Sequence, residues 1–147
     1  MATAKVIVNP YAGRWAGRAA IPRVERALRR LDFSFDLVTT DGPNHAVLLA
    51  RAAADAGYGP IVAVGGDGTI SEVMNGLMQS ASGDVAGPLG IIPAGSANDL
   101  ASQLGVFADI DGACARVAMG RECTIDIGRI NDRFFDNDVG VGFEPQV

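Results

Sequence analysis

Residues Ile61 to Leu77 read IVAVGGDGTISEVMNGL, and the way this stretch divides decides the fold. Ile61, Val62, Ala63 and Val64 form a short, β-branched apolar run without polar alternation, the pattern of a strand buried on both faces of a parallel sheet. Gly65, Gly66, Asp67 and Gly68 follow as a turn. Beyond them Ile70, Val73, Met74 and Leu77 recur at helical spacing, and Thr69 with Glu72 three positions on predicts a capping box at the helix start. The unit is therefore strand, glycine turn, helix.

Such a unit has a chemical use. Glycines let backbone N–H groups approach a ligand closely, and a helix start adds unpaired donors and the positive end of a dipole, which together suit a phosphate. Asp67 stands out, because a carboxylate beside a phosphate is repulsive unless a metal ion bridges the two or the carboxylate accepts a proton during reaction. Both exceptions belong to phosphoryl transfer. The competing interpretation is that Asp67-Gly68 is only a turn pair and that the glycines only tighten a strand-to-helix connection.

Towards the N-terminus, Lys5 to Val8 reads as a first strand that runs into Asn9-Pro10-Tyr11-Ala12-Gly13-Arg14. In an open parallel sheet, loops at the carboxyl ends of strands line the crevice where ligands bind. Asn9 is suited to hydrogen-bond a base or ribose; Arg14 either faces a phosphate or is an ordinary loop residue. Ile21, Val24, Leu28 and Leu31 form the apolar stripe of a helix with Pro22 near its start. Its Arg23, Arg26, Arg29 and Arg30 are most simply a solvated face, the alternative being attraction to an acidic lipid surface. Phe33 to Thr39 alternates as a second strand and leaves Thr40 as a strand-end hydroxyl. Asn44 is placed to cap an alanine-rich helix that ends near Gly57.

Towards the C-terminus, residues 80–87 lack periodicity and read as a loop before a buried strand at Leu89 to Ile92. Pro93 to Asp99 then repeats the glycine device, with Ser96 as cap and Asp99 three residues later. A short helix to Gly105 and another over Asp109 to Met119 follow. From Arg121 the period changes to two through Cys123, Ile125, Ile127 and Ile130, Asn131-Asp132 makes a hairpin turn, and strand character continues to Phe143. The expected organisation is a nucleotide-binding α/β domain over residues 1–120, a mostly parallel sheet with helices on both faces, followed over 121–147 by the first strands of a truncated β domain. About 27 residues are too few to close such a domain alone.

The bulk composition narrows the function. With 147 residues and 48% hydrophobic content the chain supports one good core. A net charge of -5, and one lysine beside eleven arginines, offers no phosphate-tracking field and argues against nucleic acid as a partner. No run is long enough for a membrane span and no signal-peptide pattern opens the chain, so a cytoplasmic location is expected. Cys114 and Cys123 stand in no metal or redox motif, and His45 lacks the partner signature of a catalytic triad.

Three stretches taken together, Asn9-Pro10 to Gly13, Gly65-Gly66-Asp67-Gly68-Thr69 with Glu72 and Asn75, and Pro93 to Asp99, resemble the catalytic domain of the diacylglycerol kinase family of lipid kinases. The glycine element is shared with NAD kinases; the segment containing Ser96, Asn98 and Asp99 is what separates the lipid kinases from them. The resemblance implies an N-terminal domain of ATP-NAD-kinase type, a C-terminal β-sandwich and Mg-ATP in the cleft between them. It implies nucleotide contacts from Asn9, Pro10, Gly13, Arg14, Thr40, Gly65, Gly66, Asp67, Gly68, Thr69, Glu72, Ser96, Asn98 and Asp99, with Asp67 as Mg2+ partner or proton acceptor.

Two positions depart from the family's usual residues. Ser96 replaces the usual threonine and keeps the hydroxyl. Gly140-Val141-Gly142-Phe143-Glu144 carries glutamate where the family has aspartate, which puts the lipid subclass in doubt more than the kinase assignment. The resemblance thus implies ATP and Mg2+ as cofactors and a lipid substrate; peripheral contact to a membrane is the alternative that the arginine face leaves open. NAD kinase and a non-catalytic nucleotide-binding module are the alternatives. Residues 1–147 alone are expected to be inactive, and to self-associate as a homodimer through the unpartnered strands of Thr124 to Phe143.

Overall fold

The computed structural model describes residues 3–80, 87–95, 102, 105, 109–131 and 133–135. In order these form β1 (Ala4–Val8), α1 (Ala12–Arg30), β2 (Phe35–Thr39), α2 (His45–Asp55), β3 (Ile61–Gly65), α3 (Asp67–Ser80), β4 (Leu89–Pro93), α4 (Ile110–Met119), β5 (Gly128–Ile130) and β6 (Arg133–Phe135). Strands β1 to β4 make one parallel sheet in the order β2-β1-β3-β4, so Ile61 to Gly65 is internal, with β1 on one side and β4 on the other. This is the expected doubly covered sheet.

Successive side chains of a strand point to opposite faces, and the core divides accordingly. Val6, Val8, Val62, Val64 and Ile92 pack with Ala20, Val24 and Leu28 of α1 and with Ile110, Ala113 and Cys114 of α4. Ile7, Ile61, Ala63 and Ile91 pack on the other face with Ala46, Ala50 and Ala53 of α2 and Ile70, Val73 and Leu77 of α3. All five residues of β3 are buried. Sequestering each large aliphatic side chain of this strand is worth roughly 1.5–3 kcal/mol relative to exposure.

Four local expectations change. Helix α1 begins well before Ile21, because the small residues Gly17 and Ala20 continue its buried stripe; Pro22 therefore lies inside the helix, on its exposed face. Helix α3 begins at Asp67, and the Gly66 carbonyl accepts from the Ile70 N–H at 3.0 Å, so Thr69 is in the first turn and no capping box forms at Thr69. Asn44 does occupy the cap position of α2, but with φ 66° and without a side-chain cap hydrogen bond. Residues 121–127 form no strand and most are exposed, since no neighbouring strand offers a partner for their backbone groups among the described residues.

Among the described residues of this region only Gly128–Ile130 and Arg133–Phe135 pair, antiparallel, with Asn131 in the left-handed region at φ 55° as a tight hairpin turn requires. The expected extension towards Phe143, and the short helix ending near Gly105, fall largely outside the described residues.

Candidate functional site

The strand order reverses direction at β1 and β3: the chain leaves β1 towards β2 on one side and returns to β3 on the other. A crevice at such a switch point, beyond the carboxyl ends of the strands, is where open α/β sheets bind ligands. Here the loops after β1, β3 and β4 meet. The Asn9 N–H donates to the Val64 carbonyl at 3.0 Å, and the Ala94 N–H donates to the Gly65 carbonyl at 2.8 Å, so backbone bonds tie all three loops just past the sheet.

The glycines are required by how close these loops come. A Cβ on Gly66 would lie 2.8 Å from the Cα of Gly95, and one on Gly13 would lie 2.5 Å from the Ala94 carbonyl oxygen. A Cβ on Gly65 would lie 2.5 Å from Thr69 Oγ1. Asn9 uses both ends of its carboxamide: Nδ2 donates to Thr69 Oγ1 at 3.1 Å, and Oδ1 accepts the Tyr11 N–H at 3.0 Å. The first loop is thereby fastened to the first turn of α3. Asn9 is in this respect a bridge between the two loops, a role not evident from its sequence position.

The chain is also strained where the first loop enters α1, which is kinked and non-helical at Gly13 to Trp15. Gly13, Arg14 and Trp15 adopt φ of 58°, 56° and 74° in succession, and two of the three are not glycine. Each non-glycine residue held there costs about 1–3 kcal/mol. Compensating contacts surround the turn: the Arg18 N–H donates to the Pro10 carbonyl at 3.1 Å, and the Tyr11 and Trp15 rings meet edge-on at 5.0 Å. Tyr11, Arg14 and Trp15 remain exposed.

Asp67 is half-buried at the first position of α3, Gly68 beside it is exposed, and Glu72 is half-buried one turn further on. An acidic residue in the first turn suits the helix dipole. Among the described residues no three His, Cys, Asp or Glu side chains gather to hold a metal ion. Asp67 and Glu72 are carboxylates of the kind that hold Mg2+ beside a nucleotide, where phosphate and water complete the shell.

Thr40 ends β2 beside β1, its N–H donating to the Val8 carbonyl at 2.9 Å, and is only 4% exposed. Pro10 is half-buried in the same row of loops. Ser96, Asn98 and Asp99 lie outside the described residues; their segment leaves from Ala94-Gly95, which is in the crevice. Sequence reasoning passed over Gly17, whose missing Cβ leaves room for the Asn9 carbonyl. The repeated Ala-Gly-Arg at 12–14 and 16–18 was its visible signal.

Other chemistries find no support. His45 opens α2 and its Nδ1 accepts the Asp41 N–H at 2.9 Å, which occupies the nitrogen on the side of that loop. Cys114 is fully buried, and its thiol is pushed up to about 11, chiefly by burial and then by Asp111 and Asp109. A depression of ≈ 530 Å³ lies along Pro22, Glu25, Arg26, Arg29 and Arg30, on a single helix and away from the strand ends. Among the described residues no helix is long and apolar enough to cross a membrane.

The family model of the diacylglycerol kinase catalytic domain matches residues 3–130. The chain belongs to that family. It is 34% identical over 144 residues to a diacylglycerol kinase of Staphylococcus haemolyticus, covering 98% of this chain and 43% of that protein. To a diacylglycerol kinase of Staphylococcus aureus strain JH9 it is 32% identical, covering 98% of this chain and 45% of that one. A crystal structure of a diacylglycerol kinase from Bacillus anthracis superposes with a TM-score of 0.78 at 27% identity, over 90% of this chain and 45% of that chain. The chain thus spans less than half the length of these kinases, and the matched part carries the three-loop crevice.

Proposed function

We propose that the chain forms the nucleotide-binding wall of an ATP-dependent lipid kinase, which transfers the γ-phosphoryl group of ATP to a lipid hydroxyl. The observation that carries this reading is the convergence of Asn9, Gly65-Gly66 and Ala94-Gly95 at the carboxyl end of a parallel sheet, directly before the helix that begins at Asp67. In this reading the crevice holds the triphosphate. Gly66 and Gly13 let the three loops close on one another, Asn9 fixes two of them together, and the α3 N-terminus supplies a fixed positive field for a phosphate. Arg14, Thr40, Gly68, Thr69, Glu72, Ser96, Asn98 and Asp99 complete the proposed nucleotide site. Mg2+ when bound neutralises developing charge on the phosphoryl group, and Asp67 holds it or takes the proton of the attacking hydroxyl.

The proposed division is residues 1–120 for the nucleotide and 121–147 as the opening of a β domain that completes the acceptor side. Membrane contact is peripheral in this reading. Productive transfer needs both reactants held in line, worth on the order of 7–11 kcal/mol of barrier in well-oriented systems. One wall supplies little of that, so residues 1–147 bind nucleotide weakly and turn over slowly or not at all.

The test incubates residues 1–147, and a longer protein of the length of the relatives, with Mg-ATP and diacylglycerol, a sphingoid base or NAD in parallel. Phosphorylation of NAD alone would reject the lipid assignment, and nucleotide binding without turnover by the longer protein would favour a non-catalytic module. Asp67→Asn keeps the turn and should abolish turnover while retaining nucleotide; survival of activity would leave Asp67 as scaffolding only.

A further inference from the structure

Asn75 sits in the middle of α3 and is 3% exposed, a polar side chain where an aliphatic one is the better helix former and the better filling. Its carboxamide is fully engaged. Nδ2 donates to the Ser71 carbonyl at 2.8 Å and to the Phe134 carbonyl at 3.0 Å, and Oδ1 accepts the Phe134 N–H at 2.8 Å. One side chain thus takes both backbone groups of one residue, 59 positions away in sequence.

Residues opposite each other in an antiparallel ladder alternate between exchanging both hydrogen bonds and exchanging none. Phe134 stands opposite Arg129, and because its N–H and C=O turn to Asn75, it belongs to the pairs that exchange none. The groups used are those of the β6 edge that faces away from β5, where no further strand pairs among the described residues. Asn75 acts there as a one-residue substitute for a neighbouring strand. The hairpin is braced internally as well: Arg129 Nε donates to the Asn131 carbonyl at 2.8 Å, and its guanidinium lies 5.6 Å from the centre of the Phe134 ring. Fixing Phe134 therefore fixes the hairpin as a unit.

We infer that Asn75 is a positioning residue, a latch that sets the β5–β6 hairpin, and with it the region beyond residue 121, at one orientation relative to the glycine turn. Asp67 and Asn75 are joined by eight residues of continuous helix, about 12 Å at 1.5 Å per residue. A helix of that length transmits position rigidly. The consequence for catalysis rests on the phosphotransfer reading above; the latch itself does not.

Amide hydrogen exchange on residues 1–147 tests the latch directly, with Asn75→Leu and Asn75→Asp. In Asn75→Leu the protection of the Phe134 amide should fall about 10- to 100-fold, with the amides of Val62 and Val64 unchanged, as expected for local opening after loss of two hydrogen bonds. Equal protection in parent and variant, or an equal loss at Phe134, Val62 and Val64, would overturn the latch. Asn75→Asp keeps an acceptor for the Phe134 N–H but, while charged, has no donor for the Phe134 carbonyl, so its Phe134 protection should lie between those of the parent and the leucine variant and rise towards the parent as acidification restores an O–H donor. Protection that fails to rise in the neutral carboxyl form would also overturn it.

In the longer protein, Asn75→Leu should lower kcat by roughly 10- to 100-fold with little change in KM for ATP, since a misplacement of about 1 Å has that effect. An unchanged kcat in an active enzyme would refute the positioning role. If the parent enzyme itself lacks lipid kinase activity, the functional reading fails, and the exchange experiment still decides the latch.

Discussion

Two glycines of α3 should respond to alanine with opposite signs. A Cβ on Gly76 would lie 2.8 Å from the Ala50 Cβ and 3.0 Å from the Arg51 nitrogen of α2, and closer still to the Val47 carbonyl oxygen. Carbon atoms in contact sit about 3.5–4.0 Å apart, so α2 would have to retreat by roughly 1 Å. Two of those three neighbours are backbone and cannot rotate away. Overpacking of this kind costs about 1–3 kcal/mol, against which the better helix propensity of alanine returns about 0.8–1.0 kcal/mol. With two of the three contacts to backbone the upper part of the overpacking range, about 2–3 kcal/mol, applies, and Gly76→Ala should destabilise by about 1–2 kcal/mol net, a fall in urea midpoint of roughly 0.5–1 M for a slope near 2 kcal/mol/M. Gly68 has nothing within 4 Å of its would-be Cβ, and Gly68→Ala should raise stability by about 0.5–1 kcal/mol. Equilibrium urea unfolding followed by circular dichroism measures both. A Gly76→Ala protein as stable as its parent would refute the claim that this residue sets the distance between α2 and α3.

Gly66→Ala puts a Cβ 2.8 Å from the Gly95 Cα and should weaken ATP binding about tenfold or more by calorimetry, with the far-ultraviolet spectrum retained. Thr69→Val removes the hydroxyl that receives Asn9 Nδ2 and should lower stability by about 1–3 kcal/mol in thermal melts, because the donor is left without its partner. Cys114 has a thiol raised from 9.0 to about 11, so between these values the unfolded chain carries fewer protons than the folded one. Its contribution is intact below pH 9 and is lost as pH rises towards 11, by ~3 kcal/mol, and Cys114→Ala should remove that part of an alkaline unfolding profile. Mass spectrometry after native alkylation should find Cys123 labelled and Cys114 protected, in keeping with their exposed and buried positions.

The sheet was legible because its signals are redundant. β3 combines an unbroken apolar run with a glycine turn, and β1 and β4 repeat the run followed by a proline- or glycine-containing loop, so strand, loop type and position in the sheet support one another. Helix starts were less legible. Thr69-Ile70-Ser71-Glu72 has the letters of a capping box, but glycine at 66 can also begin a helix and does so three residues earlier, which frees the Thr69 hydroxyl to receive Asn9. The strand expected through Cys123, Ile125 and Ile127 shows a different limit. Alternation describes a surface ready to be half-buried, and it yields a strand only where another strand is present to pair.

The second half of α3 explains why the latch was harder to see than the crevice. Hydropathy marks Ile70, Val73, Met74 and Leu77 as the core stripe, yet all five residues from Val73 to Leu77 are buried. A helix with one apolar stripe leaves its other faces to water; burial all round means more than one neighbour. The sheet takes Ile70, Val73 and Leu77, α2 approaches at Gly76, and the hairpin approaches at Asn75. The two extra contacts fall on a glycine and an asparagine, residues that a hydrophobic scale ranks as surface. On a helical projection Asn75 shares its stripe with Gly68 and Glu72, at offsets of seven and three residues. The hairpin is thus latched to the same side of α3 that carries Gly68 and Glu72 towards the glycine turn. A region following residue 121 would stand over that side, which in the proposed phosphotransfer reading is where the acceptor approaches, and the identity of residue 75 then bears on geometry at the crevice from outside the proposed nucleotide site.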